Sequence, residues 1–144
     1  MKVLREWTDH DFNELNFHDN IIYSVSFPDE EPLFSIRLDY ILEWNLDRSQ
    51  GLYSFLVSPA IIVFENISKL KIDLNYENNI GMIMSAFVRD NQRLAPNKEV
   101  YLWDYVIYTD RGNISLSASR FSLKLLDDPI SSHSQKYPKS FEIE

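Results

Sequence analysis

No cysteine occurs in the 144 residues, and that absence removes a disulfide framework, a thiol nucleophile and thiolate zinc sites together. Glycine is almost as scarce. The three present, Gly51, Gly81 and Gly112, are too scattered to build a loop that cradles phosphate. Long hydrophobic runs are missing too: AIIVF at 60–64 is far short of the roughly 20 apolar residues that a membrane-spanning helix needs. The opening stretch, MKVLREWTDHDF, lacks the continuous apolar core of a signal peptide. These absences together lead to the expectation of a cytoplasmic protein with no membrane partner.

Positive charge is also in short supply. Fourteen Lys and Arg face 22 Asp and Glu, a net charge of −8. Residues 1–31 concentrate the excess, with Glu6, Asp9, Asp11, Glu14, Asp19, Asp29, Glu30 and Glu31 against Lys2 and Arg5. Such a field repels phosphate backbones, which argues against nucleic-acid binding. It speeds encounter with a basic protein partner, keeps the chain soluble, and leaves a homodimer open.

What is abundant is strand-forming material. Hydrophobic residues make up 44% and aromatic residues 14% of a chain long enough for one domain with its own core. Thr8 followed by Asp11 has the spacing of a capping box, which predicts a short helix over TDHDFNEL. From residue 21 the hydrophobic period changes to two. IIYSVSF (21–27) puts Ile21, Tyr23, Val25 and Phe27 on one face, and the turn PDEEP (28–32) ends the strand. In LFSIRLDYILEW (33–44), Phe34, Ile36, Leu38, Tyr40, Leu42 and Trp44 face the core, and Ser35, Arg37, Asp39, Ile41 and Glu43 face mostly water. LYSFLVSPAIIVFENI (52–67) is apolar on both sides, and Pro59 within it predicts a bulge or a switch between sheets. KLKIDLNY (69–76) alternates, and IGMIMSAFV (80–88) reads as a strand. DNQRLAPNKE (90–99) reads as a polar connection. VYLWDYVIY (100–108), apolar both ways, has the pattern of a central covered strand. Asp110 to Asn113 turns the chain into ISLSASRFSLKL (114–125).

The pattern predicts a mainly β, single-domain antiparallel sandwich or half-barrel over 1–126, with a short N-terminal helix and about seven strands. Residues 127–144 read as a polar, loosely attached C-terminal tail, with Phe141 and Ile143 as anchoring candidates.

The candidate chemistry is thin. His10, His18 and His133 are the side chains whose type suits a catalytic acid or base. A helix folded back on the first long strand could gather His10 and His18 with Asp9 and Asp11 as metal ligands, and Asp19 lies beside His18. Against that, Asn16, Asp19 and Asn20 are turn formers, and adjacent side chains on an extended chain point to opposite faces. No metal motif of the HExxH kind is present. Ser58 lacks the glycines of a nucleophile elbow. Asp39 and Glu43 stand roughly 13 Å apart on one strand, too far for paired carboxylates. Asp104 is the more unusual residue: a carboxylate on a covered strand needs a partner, and Arg111, Arg120 and Lys124 are the candidates. The row Tyr101, Trp103, Tyr105 is read as a core face, with part of it open as the alternative.

The order FHDN, LDYILEW, SPAIIVFENI with KLKIDL, and GNISLSAS, over residues 7 to 125, resembles a group of small uncharacterised bacterial proteins. The resemblance implies a domain outline and no mechanism. In size, acidity and lack of cysteine the chain is also similar to bacterial immunity proteins that neutralise toxins. The expectation from the residues is a non-enzymatic binding protein without a cofactor, an immunity-like acidic inhibitor of a basic protein being the specific form. The competing expectation is a small metal-dependent or acid–base enzyme centred on His18, with Asp19 and Asp104 as further catalytic candidates.

Overall fold

The computed structural model describes residues 5–47, 49–77 and 81–137. Among them are ten strands: β1 (Arg5–Thr8), β2 (Asn20–Ser26), β3 (Leu33–Asp47), β4 (Leu52–Glu65), β5 (Ser68–Leu74), β6 (Met82–Leu94), β7 (Tyr101–Thr109), β8 (Gly112–Ala118), β9 (Arg120–Leu125) and β10 (Ile130–Ser132). One 3-10 helix spans Asp9–Glu14. Every pairing is antiparallel, in the order β1-β9-β4-β3-β2-β6-β7-β8-β5, with β10 added alongside β4. The sheet is not closed into a barrel, since β1 and β5 end the order unpaired to each other.

The sheet doubles over on itself. Phe121 on β9 and Phe87 on β6 stand four strands apart in the order, which in a flat sheet is roughly 19 Å. Their ring centroids are 5.2 Å apart. Phe64 from β4 and Tyr105 from β7 join them at 5.3 Å, so the core is an aromatic stack between the two folded halves. Alternation puts Phe34, Ile36, Leu38 and Tyr40 of β3 into this core, beside Ala60, Ile62 and Phe64 of β4. Two very short links hold the halves together. β4 passes to β5 through Asn66 and Ile67, and β8 passes to β9 through Ser119 alone, whose backbone N–H donates to the Glu65 carbonyl at 3.0 Å.

The helix caps one end of the core. Thr8 Oγ1 accepts from the His10 N–H, and the Asp11 carboxylate accepts from the Thr8 N–H at 2.9 Å. The expected capping box is therefore present, on a 3-10 helix preceded by a strand, β1, for which the sequence gives no signal. Phe12 packs edge-on against Phe87 and Phe121. Arg89 bolts the helix down: its guanidinium lies between Phe12 at 4.4 Å and Trp103 at 4.2 Å, and donates to the Asp9 carbonyl at 3.0 Å.

Several expectations need correction. A bulge at Tyr23 shifts the phase of β2, so Ile22 rather than Ile21 enters the core, and Phe27 is exposed. Pro59 causes neither a bulge nor a sheet switch in β4, which runs straight through it. The partner changes instead: β9 pairs with β4 from Ala60 onward and β10 pairs with it up to Val57, so the missing N–H falls where no ladder bond is asked of it. DNQRL belongs to β6, which continues to Leu94. ISLSASRFSLKL is broken at Ser119 into β8 and β9.

The outer face of β3 is not uniformly wet. Asp39 is fully buried, accepting from the Tyr23 hydroxyl at 2.5 Å and from the Tyr137 backbone N–H at 2.8 Å. What covers it is the segment from Asp127 to Tyr137, expected to hang loosely. It forms β10, and Tyr137 inserts into a satellite cluster with Ile41, Phe55 and Val57. This covering explains why β4 is apolar on its second face at Phe55 and Val57. Phe141 and Ile143 lie outside the described residues.

Candidate functional site

His18 and Asp19 occupy a corner. The Asn16 side-chain oxygen accepts from the His18 N–H at 3.0 Å, and Asp19 adopts a left-handed φ of 64°, which aspartate tolerates better than most residues. Asp19 donates its N–H to the Met84 carbonyl at 2.8 Å, pinning the corner to β6. The His18 ring is exposed, with Nδ1 at 3.4 Å from the Asp19 carboxylate and the ring tilted over Trp44 at 6.0 Å. His10 sits on the other side of the helix, lining a cleft with Thr8 and Asp9. Asp11 is committed to its cap. Among the described residues, no three His, Asp or Glu side chains converge as a metal ion would require.

Asp104 is on the open outer face of β7, not on a covered strand. Hydrogen bonds from Ser117 at 2.6 Å and Asn91 at 2.8 Å, with Arg93 at 2.9 Å, hold its carboxyl below the usual range. The ion pair was expected and the cation was not: Arg93 lay in a stretch read as a loop. Arg120 instead forks onto Glu65 at 2.6 and 3.0 Å. The Ser58 hydroxyl is buried and donates to the Asp127 and Pro59 carbonyls, bridging the gap between β9 and β10. The aromatic row divides. Tyr105 is in the core, Trp103 is half-buried, and Tyr101 is exposed on the rim of the cleft that His10 lines, a space of about 580 Å³.

The less expected surfaces lie along β3 and β4. Pairing to β2 stops at Asp39, and pairing to β10 stops at Phe55, so residues 42–47 of β3 and 52–54 of β4 project as a two-stranded arm. Trp44, Leu46, Leu52 and Tyr53 on this arm are each 41% to 54% exposed. At its base a groove of about 540 Å³ opens between the arm and the N-terminal segment. Trp7, Leu15, Tyr40, Leu42 and Leu56 make its apolar walls, and Arg5, Glu14 and Glu43 its charged rim. Burial raises the Tyr40 phenol, offset in part by the Asn16 N–H that it accepts and by nearby Arg5. No local signal marks this groove, because its walls come from β1, the helix, β3 and β4.

No protein-family model, curated protein or solved structure matches the chain. None of the described helices is long and apolar enough to cross a membrane.

Proposed function

We propose that this is a non-enzymatic binding protein whose partner is a basic protein. The observation that carries the reading is the projecting arm. Trp44 and Tyr53, with Leu46 and Leu52, place half-exposed rings and aliphatic side chains on the arm portions of β3 and β4, which no other described strand flanks. Trp and Tyr of this kind are the residues that dominate protein interfaces. The net charge of −8 supplies steering toward a basic surface. An inhibitor of the immunity type is the specific form that size and acidity favour.

One observation favours the alternative, an acid–base or metal-dependent enzyme centred on His18: the 3.4 Å approach of its Nδ1 to Asp19. The two readings separate in a single set of variants. For the binder, immobilised protein retains a basic protein from the source lysate at low salt. Trp44→Ser/Tyr53→Ser loses that protein, whereas His18→Ala keeps it. For the enzyme, zinc or manganese raises the melting temperature, and His18→Ala abolishes the rise. Retention indifferent to both salt and the arm variant overturns the binding reading.

A further inference from the structure

The groove at the base of the arm has walls suited to one kind of side chain, and one of that kind already lines its rim and stacks on its wall. The Arg5 guanidinium lies 4.3 Å over the Trp7 ring. Arg5 is exposed and makes no ion pair among the described residues. Glu14 and Glu43 line the same groove, are equally exposed, and are likewise without an ion-pair partner. A stacking ring, apolar walls and two carboxylates without an ion pair among the described residues are what an arginine from outside would use. Its planar cation stacks on indole, its methylene stem packs on Leu42, Leu56 and Tyr40, and its fork reaches carboxylate oxygens.

We propose that this groove receives an arginine side chain of the basic protein partner, and that Arg5 is an internal occupant which the incoming arginine displaces. The inference rests on the binding reading above and assigns it a seat. Anionic ligands are disfavoured by Glu14 and Glu43. Lysine fits less well, because a compact, strongly hydrated ammonium gains less from the indole face.

Fluorescence anisotropy of a labelled hexa-arginine peptide with the full chain at low salt tests this. Glu14→Gln/Glu43→Gln, both at exposed positions, weakens binding by about tenfold, and Trp7→Ala does the same. Removing the competitor with Arg5→Ala tightens binding by roughly threefold, the opposite sign to a merely structural role. Asp29→Asn/Glu30→Gln removes the same charge from the remote turn and changes binding by less than about twofold. Hexa-lysine binds more weakly than hexa-arginine. If the groove and turn variants weaken binding equally, or Arg5→Ala leaves it unchanged, the seat is lost while the acidic-binder reading stands. No binding of hexa-arginine at any salt concentration overturns both. Free arginine competing as well as the peptide, residue for residue, overturns the protein-partner assignment.

Discussion

At the scale of single residues, the fold tolerates one unusual polar group at its centre. Tyr105 is fully buried among Phe64, Phe87 and Phe121, and its hydroxyl has no well-aligned hydrogen-bond partner among the described residues, only the Arg89 guanidinium at poor geometry. Burial pushes its phenol up to about 12, and a weak hydrogen bond from Arg89 together with the Arg89 charge offsets only part of that rise. The sign of the consequence is fixed. Between the ordinary value near 10 and about 12 the unfolded chain has lost this proton and the folded chain retains it, so stability falls as pH rises through that window. Tyr105→Phe removes a poorly satisfied hydroxyl and little volume. At pH 7 it leaves stability within about 1 kcal/mol of the parent or slightly higher, and it flattens the alkaline decline. Urea unfolding at pH 7 and pH 11 measures both. A loss of several kcal/mol at pH 7 would mean that the hydroxyl is bonded after all.

At the scale of elements, close backbone approach matters as much as side-chain pattern. Gly112 opens β8 at a φ of +139°, and a β-carbon there would stand 2.0 Å from the Asp73 carbonyl oxygen of β5. Backbone on both sides has no room to yield. Gly112→Ala therefore costs about 3 kcal/mol, read from the urea midpoint, whereas Gly51→Ala meets nothing within 4 Å and costs only its positive-φ strain. Equal losses at the two positions would remove the steric account. The same contrast shows what was legible in the sequence. Period-two alternation located β3, and runs apolar on both sides located β7 and the outline of β4, because both patterns are local properties of the chain. The bulge at Tyr23, the break at Ser119 and the whole of β1 were not legible, since each depends on the register or identity of a partner strand rather than on the local pattern. Pro59 misled for the same reason: its missing N–H is excused by the gap between two other strands. The site followed suit. The corner at His18 is written in Asn16, Asp19 and Asn20, but the groove draws Trp7 and Glu43 from segments more than thirty residues apart.

At the scale of the whole molecule, two apolar clusters share β3 and β4 but differ in what encloses them. The main core is held by strands from both halves of the folded sheet. Among the described residues, Trp44 and Tyr53 pack on Phe55 of the satellite cluster, and Ile41 and Val57 are covered by the segment from Asp127 to Tyr137, through a three-residue strand, the Tyr137 ring and the bond from the Tyr137 N–H to Asp39. Opening that segment exposes Ile41 and Val57 and strips a partner from a buried carboxylate, but it breaks no pairing between β4 and β9. Local and global unfolding should therefore separate. Tyr137→Ala removes the largest side chain of the closure and loosens it by about 3 kcal/mol. By hydrogen exchange, backbone amides of Ile130–Ser132 should then exchange far faster, while those of Ile62–Phe64, shielded between β3 and β9, keep most of their protection. If both sets accelerate together, the satellite cluster is part of one cooperative core and the segment is no separable closure. If neither does, the three-residue strand and the Asp39 bond hold the segment without the ring.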